Sequence, residues 1–218
     1  MATGRDAASA AVALDGRPLG RRGALTRRRL LDATAALLES RGVRDLRVVD
    51  IAREVETSPA TFYQYFRDVE EAVLALAEEA GEDLAPIGEL FDAPWEGPAG
   101  LDCARDVVAR FIEYWDANRA VLRTRNLAAQ EGDPRFRAVR IESLRPLREG
   151  LAEQVAAAQR AGHVVPDVKP LAAAAALAAM MERMAAFHTD LEPWGVTSAD
   201  LVETTARIVF QTVTGQPG

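Results

Sequence analysis

Residues 48–66 read VVDIAREVETSPATFYQYF, and the signals inside this stretch decide how it folds. Val48, Ile51, Ala52 and Val55 recur at the spacing of one helix face, but over two turns only. Ser58 followed by Pro59 then starts a new helix. A serine hydroxyl accepts from the orphan N–H groups of a first turn, and proline at the first helical position gives up an N–H that had no partner. Phe62 and Phe66 are four apart and can face the core together, which turns Ala60, Thr61, Tyr63, Gln64 and Arg67 toward other faces. Helices this short are unstable alone, so both must pack on neighbours.

Those neighbours flank the stretch. Thr26 can cap a helix whose apolar positions are Leu30, Ala33, Leu37 and Leu38, with Gly42 to end it, and a further helix near 69–83 buries Val73, Leu74, Leu76 and Ala77. Residues 1–25 show no sustained apolar period and read as a flexible basic arm. The domain boundaries expected are therefore 1–25, 26–67 and 68–218. Pro86, Gly88, Pro94, Gly97, Pro98 and Gly100 form a breaker-rich connection. Longer helices follow near 101–118, 119–131, 134–161, 170–189 and 198–213. No strand pattern appears, so the fold expected is all-α with about nine helices. The last two helices are the least polar and need covering on more than one side.

The formal net charge of the 218-residue chain is −7, which would disfavour a polyanionic partner if it were evenly spread. It is not: residues 1–67 hold 12 arginines against eight acids, and residues 68–218 hold 14 basic against 25 acidic side chains. One end suited to phosphates and another that is not produces this asymmetry, with chance clustering as the alternative. The weakly polar run 171–181 is closed by Glu182 and Arg183, short of the roughly 20 apolar residues a membrane span needs. Without a secretory signal pattern either, the expected location is the cytoplasm, with no membrane partner. One cysteine, Cys103, and two histidines leave no internal disulfide and no metal-ligand cluster, so neither metal nor cofactor is expected.

Two short helices joined by a tight turn, the second carrying small polar and aromatic side chains, make a helix-turn-helix able to enter a major groove. At this point the chain resembles a known family. The order Ile51-Ala52, then Ser58 through Phe66, then Glu70-Glu71-Ala72-Val73-Leu74 is similar to the N-terminal domain of the tetracycline-repressor (TetR) family. The resemblance implies a homodimeric, ligand-responsive regulator of transcription that binds double-stranded operator DNA. It places Ser58, Pro59, Ala60, Thr61, Tyr63, Gln64 and Tyr65 on the DNA-facing helix. Gln64 suits base readout, because its amide pairs with adenine N6 and N7. Tyr63 and Tyr65 suit phosphates or simple packing, and Thr61 suits either a base or a phosphate. Arg27, Arg28 and Arg47 are candidate phosphate clamps, and Arg21 and Arg22 could reach a minor groove.

Three positions depart from the family pattern. Arg47 stands where a hydroxyl usually caps the second helix, Glu56 where the turn usually has glycine, and Val69 where a lysine usually opens the fourth helix. The expectations are a weak cap unless Asp45 replaces it, a strained or altered turn, and a lost phosphate contact that Arg67 supplies instead.

In the acidic half the resemblance is architectural. It implies an effector pocket and a dimer interface through the last two helices, with the helix from residue 69 as the lever between reading head and effector half. The segment from Phe111 to Val121 and the pattern from Leu177 to Met184 resemble the actinobacterial ethionamide-regulator type. By that resemblance Val108, Phe111, Trp115, Leu144, Leu147, Leu151, Met181 and Met184 line an apolar pocket, with Asn126 as a polar anchor. Such walls suit a small hydrophobic or acyl-like effector, although the same stripe also describes ordinary core. No nucleophile elbow, phosphate loop or acid/base pair supports an enzyme. His188 alone reads as a surface or interface residue. A helical scaffold that has lost DNA binding is the second reading.

Overall fold

The computed structural model describes residues 17–216, which are helical apart from turns and connections. By its contacts the chain divides into two compact units, Met1–Ala77 and Glu78–Gly218. The expected boundary at 67/68 lies ten residues earlier, ahead of the helix that carries the division.

The first unit contains α1 (Arg21–Ser40), a 3-10 turn (Val43–Asp45), α2 (Val48–Glu54), α3 (Pro59–Phe62) and the first half of α4 (Val69–Leu84). Leu30, Leu31, Ile51, Ala52, Phe62, Phe66 and Val73 close its core. α1 starts five residues before the expected Thr26 cap. The Thr26 hydroxyl instead donates back to the Arg22 carbonyl at 3.0 Å, a mid-helix bond. Residues 21–25 of the expected arm are thus the first turns of a helix, and residues 1–16 lie outside the described part.

The end of α2 explains how the turn accommodates a glutamate. Glu56 has φ +54°. Its N–H donates to the Arg53 carbonyl at 3.1 Å, and the Thr57 N–H donates to the Ala52 carbonyl at 2.9 Å. This is a Schellman cap, whose left-handed position favours glycine. In addition, Arg29 Nη2 donates to the Val55 carbonyl at 3.2 Å, tying α1 to this turn. Replacing Glu56 by glycine removes a left-handed penalty of about 1–2 kcal/mol against a smaller loss of unfolded-state restriction. The variant should be more stable by about 0.5–1 kcal/mol, measured by urea unfolding; a destabilised variant would refute the strain.

The second unit adds a 3-10 segment (Ala85–Phe91), α5 (Gly97–Ala117), α6 (Arg119–Gln130), α7 (Pro134–Ser143), α8 (Arg145–Arg160), α9 (Pro170–Phe187), a further 3-10 segment (His188–Trp194) and α10 (Ser198–Thr214). Ten α-helices among the described residues replace the nine expected, because 134–161 is two helices. Pro146 sits in the first turn of α8 and has no N–H to continue a helix through Leu144. The breaker-rich connection is also shorter than expected: Pro98 lies in the first turn of α5, and Gln154 clamps the loop before it. Gln154 Nε2 donates to the Phe91 and Ala93 carbonyls at 3.1 Å, and its Oε1 accepts the Trp95 N–H at 3.1 Å.

α5, α8, α9 and α10 surround one apolar core with Phe91, Phe111, Trp115, Leu147, Leu151, Met181 and Phe210. A Cβ on Gly150 would run into the Phe91 ring. Gly150→Ala should therefore cost about 1–3 kcal/mol by overpacking, read as a lowered melting temperature. The 25-residue run Pro170–Trp194 is long and apolar enough by composition to cross a membrane, unlike the shorter run considered above. In the fold one face of this helix packs on the core and a third of the run is buried: Ala174, Leu177, Ala178, Met181 and Ala185 are buried, and Glu182 sits in the interior with charged partners.

Candidate nucleic-acid interface and ligand crevice

Short local bonds build the face assigned to DNA. The Ser58 hydroxyl accepts the Thr61 N–H at 3.2 Å and lies 3.1 Å from the Thr61 hydroxyl, so both side chains are engaged in the cap. After four residues of α3 the chain tightens: Gln64 N–H donates to the Thr61 carbonyl at 3.2 Å and Tyr65 N–H to that of Phe62 at 2.9 Å. These are 3-10 bonds, anchored from below by the Phe62 and Phe66 rings 5.4 Å apart. The anchoring leaves Ala60, Tyr63 and Gln64 exposed, Tyr63 by 52%. Tyr65 is half-buried, with its hydroxyl beside Gly23 in the first turn of α1. The two tyrosines therefore differ: one faces outward and the other packs.

Three of the arginines named from the sequence, Arg27, Arg28 and Arg67, have intramolecular partners. Arg28 pairs with Asp32 at 2.7 Å and Arg67 with Glu71 at 3.1 Å. The Arg27 guanidinium lies 5.2 Å from the Phe66 ring centroid. Exposed ion pairs contribute only about 0–1 kcal/mol, so Arg28 and Arg67 can exchange partners cheaply. Arg47 is the exposed N-cap of α2, without a side-chain capping bond, and Asp45 does not replace it. Arg21 and Arg22 are exposed on the first turn of α1 rather than on an arm. Val69 is buried, and Asp68 Oδ1 accepts the Glu71 N–H at 2.7 Å, so an acid caps α4.

In the second unit a small crevice with room for about 10 Å³, about one water, is bordered by Val108, Phe111 and Ile112 of α5, Met181 and Met184 of α9, His188, and Leu201 and Thr205 of α10. Four of the nine residues named from the sequence meet there: Val108, Phe111, Met181 and Met184. Trp115, Leu144, Leu147 and Leu151 pack into the adjoining core instead, Trp115 with its indole Nε1–H buried and without a hydrogen-bond partner. Ile112, His188, Leu201 and Thr205 were not anticipated as walls. The spacing Met181, Met184, His188 along α9 carried a signal for one of them. His188 is buried rather than superficial, its Nδ1 3.3 Å from Arg119 Nη2 and its Nε2 3.4 Å from Asp116 Oδ2.

Asn126 belongs to a different site, a buried polar cluster that the sequence did not disclose. Arg125, with no exposed surface, donates from Nη2 to Glu182 Oε1 at 3.2 Å, from Nη1 to Ser143 Oγ at 2.9 Å and Tyr114 Oη at 3.3 Å, and from Nε to Asn126 Oδ1 at 3.0 Å. Glu182 also accepts from Asn126 Nδ2 at 2.9 Å and from Arg140 through two bonds. Burial pushes the Tyr114 phenol above its ordinary pKa. Among the described residues no group of three or more His, Cys, Asp or Glu side chains could hold a metal ion.

Comparison with known proteins adds relatives to this geometry. The family described as "Bacterial regulatory proteins, tetR family" matches residues 30–76, and "Tetracyclin repressor-like, C-terminal domain" matches residues 88–217. The HTH-type transcriptional regulator BetI of Brucella suis biovar 1 (strain 1330) is 32% identical over 125 residues, 56% of this chain and 62% of that protein. The chain thus matches less than two thirds of that curated relative's length. A tetR-family transcriptional regulator from Streptomyces coelicolor superposes with a TM-score of 0.67 at 16% identity, over 90% of this chain and 83% of that one. FadR from Bacillus subtilis, in complex with stearoyl-CoA, gives 0.63 at 14% identity, over 87% and 98%. At these identities the likeness to solved structures is one of fold.

Proposed function

Because this chain belongs to the tetracycline-repressor family of bacterial regulatory proteins, we propose that it is a DNA-binding transcriptional regulator, a repressor released from its operator by a small apolar molecule. The observation that carries the reading is the exposed pair Tyr63 and Gln64, held outward by the Ser58 cap and the Phe62–Phe66 anchor. Gln64 reads a base edge and Tyr63 a phosphate, while Arg27, Arg28, Arg47 and Arg67 supply positive charge to the backbone. Arg21 and Arg22 on the first turn of α1 sit at the positive end of a helix dipole, an arrangement that phosphate neutralises.

The protein works as a homodimer in the cytoplasm, through α9 and α10. Leu171, Phe187 and Ile208 are large apolar side chains exposed on these helices, and Ala172, Ala175, Ala176 and Ala179 give α9 a small-residue surface that lets a twin approach.

The effector enters the α5–α9–α10 crevice. Its room of about 10 Å³ is far below the roughly 300–1,000 Å³ of ordinary ligand sites, so an effector enters only by displacing the walls, of which the unbranched Met181 and Met184 yield most easily. An acyl-like molecule, of the kind named with the Bacillus subtilis neighbour, suits those walls. Release follows if the effector prefers a dimer whose reading heads miss the half-site spacing of about 34–36 Å.

The test is a mobility shift of the purified protein on the intergenic DNA upstream of its own gene at two salt concentrations. Specific binding that weakens steeply with salt is expected. Binding to no DNA, there or in a random-site selection, would favour the scaffold reading.

A further inference from the structure

Burial and hydrogen bonding together narrow the side chains of α3 and its turn that can read a base. Phe62 and Phe66 are buried, and Tyr65 is half-buried with its hydroxyl beside Gly23. Pro59 is half-buried at the first helical position. Ser58 and Thr61 hold each other: the Ser58 hydroxyl accepts the Thr61 N–H at 3.2 Å, and the two hydroxyl oxygens lie 3.1 Å apart. Turning either of them to a base edge would break a bond of the helix cap. Ala60, Tyr63 and Gln64 remain exposed. The Tyr63 ring meets Phe62 edge-on with centroids 5.9 Å apart, and its phenol suits a phosphate. Base readout that leaves the cap intact therefore falls to Ala60 and Gln64.

These two stand four positions apart, and the phenylalanines between and beyond them are buried while both of them are exposed. One helical turn is about 5.4 Å long, and base pairs in a duplex repeat every 3.4 Å or so, so the two side chains meet bases within about two steps of each other. Gln64 brings an amide that matches adenine N6 and N7. Ala60 brings only a methyl group. The apolar feature that a base edge offers in the major groove is the C5-methyl group of thymine, and alanine is among the side chains that pack on it.

We infer that each operator half-site carries a thymine whose C5-methyl group packs against the Ala60 methyl, within two base pairs of the adenine that Gln64 reads. This rests on the DNA-binding reading given above and adds the bases it selects. Ala60 becomes a specificity-determining residue, because cytosine or a purine at the same place offers no methyl to cover.

Deoxyuridine supplies the test, since it lacks the thymine methyl and keeps every hydrogen-bonding group of the base. The tightest duplex recovered from a random-site selection on the full chain should hold A·T pairs within two steps of each other in each half-site. Its thymines are then replaced by deoxyuridine one at a time and the affinities measured by fluorescence anisotropy. At one thymine of a half-site the affinity should fall about fourfold, the effect of one buried methyl group, with an unchanged salt slope. Ala60→Gly should bind the thymine and deoxyuridine duplexes alike. The wild-type scan decides even if that variant folds poorly. Selected half-sites without such A·T pairs, affinities indifferent to every replacement, or a deoxyuridine effect that persists in folded Ala60→Gly would overturn the Ala60 assignment while leaving the DNA-binding reading in place. Recovery of no duplex at all would remove both.

Discussion

Glu182→Ala is expected to lower the stability of the second unit by about 3–5 kcal/mol, because it leaves a fully buried guanidinium without its counter-charge. Arg125 would keep its bonds to Tyr114, Ser143 and Asn126, but none of these carries the negative charge that Glu182 supplies. Arg140, half-exposed, can turn toward water; Arg125 cannot. The double variant Arg125→Met/Glu182→Leu should recover much of the loss, since apolar groups of similar volume often replace a buried ion pair with little change in stability. Urea unfolding of the wild type, the single and the double variants measures this, with unchanged m-values as the check on two-state behaviour. A single-variant loss below about 1 kcal/mol would mean that water reaches Arg125 after all.

Gln64→Ala and Arg47→Ala should both weaken operator binding, in distinguishable ways. Losing a bidentate amide contact to adenine costs about 1–3 kcal/mol, or about 5- to 150-fold, and the loss falls on the operator alone. Unrelated DNA should bind Gln64→Ala as it binds the wild type. Losing Arg47, in contrast, should weaken operator and unrelated DNA alike and reduce the slope of log K against log salt by about one. Titrations on two DNA sequences at four salt concentrations give all of these quantities. If Gln64→Ala lowered both affinities equally, Gln64 would be a backbone contact and the base readout would lie with Tyr63 or Thr61.

What could be read from the sequence was local. Ser58-Pro59 and the Phe62/Phe66 pair determine α3 within nine residues, and their chemistry is the same in a peptide as in the fold. The unusual turn at Glu56 was visible too, because a left-handed position leaves a mark at a single residue. Boundaries fared less well. Thr26 was a reasonable cap, but α1 continues through it, its hydroxyl satisfied by Arg22. Pro146 was in plain view, yet the apolar period runs unbroken across it, because Leu144 at the α7–α8 junction and Leu147 in α8 both reach the core.

The polar cluster was beyond reach for a different reason. Arg125 and Glu182 are 57 positions apart, and an arginine on a predicted helix normally reads as solvated. Only the packing of α6, α7 and α9 makes it a buried ion. Likewise, a Met and aromatic stripe has the same spacing whether it lines a crevice or fills a core. This is why Phe111 and Met181 border a cavity while Leu147 and Leu151, named by the same pattern, do not.

The four-residue length of α3 has a thermal consequence. A single helical turn has no stability of its own and takes its shape from the burial of Phe62 and Phe66. Local opening of such an element is a separate equilibrium from global unfolding, and apparent affinity falls in proportion to the fraction that remains closed. Warming that unseats the two rings would therefore empty the operator while the second unit stays folded and its crevice vacant. Heat would then act as an inducer, entering through the reading head.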